Sequence, residues 1–107
     1  MKYKVILSED AEDDLFEIYK FIFLNDSKLN AEKLIARLRR KCFELEEYPE
    51  RGHLLHELQL FNIHEFLEVH IKPYRIIYRI IKKEVFIHFI IDGRRDFQKL
   101  LNERLLR

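Results

Sequence analysis

The sequence predicts an α+β fold: an N-terminal strand, a two-helix hairpin, then an antiparallel meander sheet with helices packed on one face, and a short C-terminal helix. Two observations predict it. Apolar residues recur at helical spacing through the first half, and three runs between Phe66 and Ile91 alternate with the period of two that strands require. Length adds a third. The 107 residues hold only two glycines and two prolines, which leaves little room for long loops and fits one domain over 1–107. Apolar residues make up 48% and charged residues 36%, enough for a core beneath a solvated surface.

The elements follow in order. Tyr3, Val5 and Leu7 alternate with Lys2 and Lys4 as a short strand with one buried face. Ser8 caps a helix whose Ala11, Leu15, Ile18 and Ile22 form an amphipathic stripe, ended by Asn25 and Asp26. Ser27 or Asn30 caps a second helix with the stripe Leu34, Leu38, Cys42 and Leu45, broken at Pro49. Its other side carries Lys33, Arg37, Arg40 and Glu44, the pattern of a solvated face with internal ion pairs. After the Arg51-Gly52 turn, Leu67, Val69 and Ile71 alternate with Phe66, Glu68, His70 and Lys72. Pro73 permits a tight reversal into Tyr74–Ile81, Lys82 and Lys83 turn again, and Val85, Ile87, Phe89 and Ile91 read as the core-facing set of the last strand. Because the helical pattern precedes the meander, the helices are expected to cover one sheet face and to leave Glu68, His70, Arg75 and Arg79 on an open one. Gly93 ends the last strand. Asp96 then caps a helix with apolar Phe97, Leu100, Leu101 and Leu105, able to dock on its own domain or on a partner.

Charge is polarised although the net is only +1. Ser8 to Asp26 holds seven acids against Lys20 alone, as a helix start favours, whereas His70 to Arg107 holds ten bases against four acids. The single Cys42 permits no intramolecular disulfide and no cysteine-rich metal site, which suits a cytoplasmic protein. His53, His56 and His64 fit no metal spacing, and neither a metal nor a cofactor is expected. No apolar run is long enough to span a bilayer, so no membrane partner is expected.

The stretch from Pro73 to Asp96 reads PYRIIYRIIKKEVFIHFIIDGRRD. A PYRxxYR strand paired with an apolar strand ending in GRRD, together with the Pro-Glu-Arg-Gly turn at Pro49 to Gly52, resembles the RelE/ParE superfamily of toxins from bacterial toxin-antitoxin pairs. Within it the resemblance is to the ParE-like, plasmid-stabilisation branch, and it covers essentially the whole chain in element order. It implies a growth-inhibiting toxin held inactive by a cognate antitoxin, with operator DNA reached only through that antitoxin. ParE-like members inhibit DNA gyrase by stabilising cleaved DNA on it, and they are not enzymes. RelE-like members are ribosome-dependent mRNA interferases, the alternative function here, with the ribosome and mRNA as partners. A decayed toxin that only binds its antitoxin is a further alternative.

Arg75, Arg79, Arg94 and Arg95 are the candidate target-binding residues, because guanidinium forks hold phosphates or carboxylates bidentately and stay charged. For Arg79 an ion pair with a cross-strand acid competes with that role. In the ribonuclease members, the resemblance places Arg75 and Arg95 at the scissile phosphate. The two lysines of the RelE type are replaced here by Phe66 and Glu68, and the C-terminal tyrosine by Leu100 and Leu101, which favours the gyrase branch. Were the chain a ribonuclease, His70 or Glu68 would have to supply acid and base beside Arg75 and Arg95. His88 reads as a packed, hydrogen-bonded histidine, Tyr74 and Tyr78 as core, and Cys42 as a buried structural thiol. The antitoxin groove is expected to be apolar and flanked by charge, on the exposed sides of the helical hairpin and sheet rim.

Overall fold

In the computed structural model, which describes residues 2–105, strand β1 (Lys4–Leu7) passes into helix α1 (Glu9–Asn25) at Ser8. The Ser8 Oγ accepts the Ala11 N–H at 3.0 Å, satisfying one of the donors a helix start leaves open. It also donates to the carbonyl of His88 at 2.9 Å, which ties the helix start to the sheet. Helix α2 (Lys28–Phe43) is capped by Ser27, whose Oγ accepts the Asn30 N–H at 3.0 Å. Of the two candidate caps Ser27 serves, and the Asn30 side chain instead bonds the Asp26 carboxylate. Arg107, counted among the C-terminal bases, lies outside the described residues.

Beyond the hairpin come β2 (His53–Leu54), a single turn α3 (His56–Gln59), β3 (Leu67–Ile71), β4 (Tyr74–Ile81), β5 (Glu84–Asp92) and α4 (Phe97–Leu105). The sheet order is β1-β5-β4-β3-β2, with β1 parallel to β5 and the other neighbours antiparallel. The α+β class, the two-helix hairpin and the meander of β3, β4 and β5 are as the sequence predicts. The Lys72-Pro73 peptide in the β3–β4 turn is cis. Neither β2 nor α3 was legible, since both are too short to develop a period.

The hairpin covers one sheet face. Ala11, Leu15, Leu38 and Cys42, with Leu45 from the 3-10 turn Glu44–Glu46 that follows α2, pack there against Val69, Ile76, Tyr78, Val85 and Ile87. The opposite face is not open, which corrects the expectation for it: Leu55 and Leu58, flanking and within α3, and Phe97 and Leu101 of α4 bury Ile77, Phe89 and Ile91. Ile77 lies between Arg75 and Arg79 on that face, and α4 docks on its own sheet to remove the apolar residues from water.

A bulge divides the last strand. Tyr78 pairs with Ile87 but Ile77 pairs with Phe89, so His88 has no partner residue on β4 and every residue after it changes face. The expected core-facing set therefore splits: Val85 and Ile87 join the hairpin core, while Phe89 and Ile91 join the α4 core. At Gly52 the chain passes so close to Tyr78 that an added Cβ would lie 2.3 Å from the phenol oxygen. The Gly52 N–H donates to that oxygen at 3.1 Å and the hydroxyl donates to the Pro49 carbonyl. Tyr78 is thus core, and burial pushes its phenol up to about 12.

Candidate functional site

The four candidate arginines fall into three different environments. Arg75 lies across the α4-side face of the sheet, opposite His70 of β3 and Ile91 of β5. Its Nε and Nη2 donate to Glu68 at 2.7 and 2.8 Å, and its Nη1 and Nη2 donate to Glu57 at 2.9 Å each. The Phe97 ring closes the guanidinium from above at 3.5 Å. Four of its five N–H donors are thereby used inside the molecule. Only 16% of the side chain is exposed. Burial opposes its charge, but the two carboxylates outweigh that and raise its pKa. The same hydrogen bonds from Arg75 hold the Glu57 carboxyl below the usual range.

Glu68 also meets His70, with Nε2 and Oε1 2.6 Å apart. The structure therefore brings Glu68, His70 and Arg75 together as the sequence expects, but adds Glu57 and Phe97. Glu57 sits in a turn that gave no periodic signal. Phe97 belonged to a predicted apolar stripe, and nothing in that stripe pointed at an arginine.

Arg79 is also on this face, and its partner is not a cross-strand acid. Its Nε donates to His88 Nε2 at 3.1 Å, and its guanidinium carbon lies 5.3 Å from the Phe66 ring centroid. Phe66 stands edge-on to His88. Burial first, and the Arg79 charge second, lower the pKa of His88, leaving the imidazole neutral and free to accept the hydrogen bond. His88 is packed and hydrogen-bonded, as read.

Arg94 and Arg95 stand in the turn after β5, on the surface. Asp92 accepts the Arg94 backbone N–H at 2.9 Å and its Nε and Nη2 at 3.1 and 2.7 Å, and the Arg94 side chain is 71% exposed. These bonds from Arg94 lower the Asp92 pKa. The exposed Arg95 side chain has no hydrogen-bond or ion-pair partner among the described residues. Behind them runs a groove of 320 Å³ between α1, β5 and α4, lined with Phe21, Tyr74, Leu100 and Arg104 among others.

One anchoring pair escaped the sequence reading. Asp14 of α1 accepts the β5 backbone N–H of Ile90 at 3.0 Å and both Nη groups of Arg104, fixing α4 against α1. Burial raises the Asp14 pKa against those bonds. A signal existed, because Asp14 lies three residues after Ala11 and four before Ile18, on the apolar stripe itself. The Cys42 thiol is buried, and burial pushes it up to about 12, so it is held as an unreactive thiol. Among the described residues no cluster of three or more histidines, cysteines and carboxylates is arranged to hold a metal. No helix among them is long and apolar enough to cross a membrane.

Residues 5–97 match the family described as the ParE toxin of the type II toxin-antitoxin system, parDE. The chain belongs to the ParE toxin family. Solved structures similar to this ParE-family chain include one from the chromosomal ParDE toxin-antitoxin system of P. aeruginosa, with a TM-score of 0.71 and 16% identity over 85% of this chain and 96% of that one. Another is from the RelBE2 toxin-antitoxin complex of Mycobacterium tuberculosis, with a TM-score of 0.64 and 22% identity over 86% of this chain and 92% of that one. At those identities the likeness is one of fold. A comparison with curated proteins finds no match. The toxin of a type II toxin-antitoxin system is thus the level of function that the family gives.

Proposed function

We propose that this chain is a cytoplasmic toxin that inhibits DNA gyrase through Arg94, Arg95 and α4, without being an enzyme, and that a cognate antitoxin neutralises it. The observation that carries this reading is the contrast among the arginines. Arg75, which a phosphate-cleaving site needs, is occupied by Glu57, Glu68 and Phe97, whereas Arg94 and Arg95 face solvent beside α4. A gyrase inhibitor needs only to dock, and an exposed fork pair beside the polar outer side of α4 suits docking.

The antitoxin has a suitable surface on the outside of the hairpin. Phe16 and Phe23 of α1 are 59% and 44% exposed, and Tyr19 stacks on Phe23. Phe16 and Tyr19 border a groove between α1 and α2 that contains Ile35 and is flanked by the Glu12–Arg39 ion pair. An amphipathic segment of antitoxin folding there would cover these rings. Contact with operator DNA then runs through the antitoxin.

Gyrase supercoiling with purified toxin tests the reading. Cleaved, linear DNA is expected to accumulate, and the Arg94→Ala, Arg95→Ala double variant is expected to abolish it. Unimpaired supercoiling at high toxin excess, by protein that still stops growth, would overturn it.

The short Glu68–His70 contact favours a second reading, ribosome-dependent mRNA cleavage with Arg75 and Arg95 at the phosphate and His70 or Glu68 as acid and base. It predicts cuts in translated mRNA that disappear in His70→Ala while the melting temperature stays unchanged.

A further inference from the structure

The strongest unassigned feature is a cationic cleft between the second half of α2 and the end of β3. Strand β2 pairs with Leu67 and Glu68, so the edge of β3 beyond them has no sheet partner among the described residues. The α2 side chains Arg37, Arg40 and Lys41 face Lys72 and His70 across a space of 470 Å³ floored by Ile71. Arg37, Arg40 and Lys72 are exposed and have no ion-pair partner among the described residues. Glu44, the one acid among the described residues that line the cleft, is shared between Lys41 at 3.8 Å and Arg51 at 3.6 Å. The side of α2 expected to carry internal ion pairs is therefore largely unneutralised, in a chain whose net charge is only +1.

We propose that this cleft grips the sugar-phosphate backbone of duplex DNA. Two guanidinium forks one helical turn apart, with two lysines beside them, suit neighbouring phosphates. Among the described residues that line the cleft Ile71 is the sole apolar one, whereas a protein partner would want apolar anchors at the centre of its interface. No Phe, Tyr or Trp among the described residues lines the cleft to stack unpaired bases, which argues for duplex over single strand. Such contacts position a partner without reading its sequence. The cleft shares no residue with the Arg94–Arg95 groove, and the site goes beyond the gyrase reading. It gives the toxin a direct hold on the DNA that its target handles.

Fluorescence anisotropy of a labelled duplex, titrated with the full chain and no gyrase, tests this apart from the gyrase assay. Four cations imply that affinity falls about 100-fold between about 50 and 200 mM salt, since each neutralised phosphate contributes a slope of about −0.9. In the Arg37→Ala, Arg40→Ala variant that fall is expected to shrink to about tenfold. Lys72→Ala alone is expected to lower the slope by about one. Circular dichroism melts of these exposed-site variants are expected to match the parent.

Four results would each overturn the proposal. One is the absence of binding at low salt, and another is an unchanged slope in both variants. A third is loss of slope only in Arg94→Ala, Arg95→Ala. The fourth is preference for another ligand: single-stranded RNA bound more tightly than the duplex, or polyglutamate displacing the duplex at equal charge, which would make the cleft a site for an acidic polypeptide.

Discussion

Arg75 and Arg94 each meet a carboxylate oxygen at 2.7 Å, yet their side chains are 16% and 71% exposed. The bond lengths are alike, so depth separates the two roles. Around Arg75 water is excluded by Phe97 and the sheet, and the Glu68 side chain is only 6% exposed. Removing one member of such a cluster strands the others without a partner or solvent. Around Arg94 water competes for both groups, and a partner can replace Asp92 at little cost. An arginine of the first kind holds the fold together. One of the second kind is available for a target.

The most severe way to break this comparison is Arg75→Ala. It leaves Glu57 and Glu68 without their cation, and a loss of about 3 kcal/mol is expected. For a domain of this size that lowers the melting temperature by roughly 12 to 24 °C in a calorimetric scan. A melt within a few degrees of the parent would place Arg75 in the solvated class and return it to the list of available forks.

The acid limb of stability sharpens the same contrast. Glu57 has a folded pKa below its ordinary 4.5, so its stabilisation is complete above 4.5 and is lost as pH falls through the lowered value. Glu57→Gln is expected to flatten the fall of stability below its ordinary 4.5 in urea titrations. Asp92, lowered from 3.8 by Arg94, acts in the same direction at lower pH. Its pairing is solvent-screened, and Asp92→Asn is expected to change the acid limb less than Glu57→Gln does. Asp14 has the opposite sign. Its folded pKa is raised above 3.8, so its charge costs stability that is recovered as pH falls through the raised value.

The smallest effect is expected at the surface pair. Arg94→Ala, Arg95→Ala is predicted to leave the midpoint of denaturant unfolding at the parent's value, and on the proposed reading it is expected to abolish gyrase poisoning. A large loss of stability from that variant would erase the distinction between the regions.

Most of the architecture was legible because it rests on local periods. The stripe of Ala11, Leu15 and Ile18 and the alternation through Tyr74–Ile81 each commit a face to the core whatever the partner is. The site was legible in its members but not in its state. Glu68, His70 and Arg75 could be placed on one face by alternation, whereas Glu57 is 18 residues from Arg75 along the chain and reaches it only through the turn α3. Asp14 and Arg104 are 90 residues apart, a separation no periodicity spans.

The sequence by itself determined the α+β class, the hairpin, the meander and the family, through patterns that repeat within a few residues and a motif confined to Pro73–Asp96. Only the tertiary structure decided which arginines are sealed. A one-residue bulge at His88 turned Phe89 and Ile91 to the second face, and α4 came down on that face to bury them. That placed Phe97 over Arg75. Burial of a charged group depends on which distant elements remove water from it, and this is a property of the packed molecule rather than of any local stretch of chain.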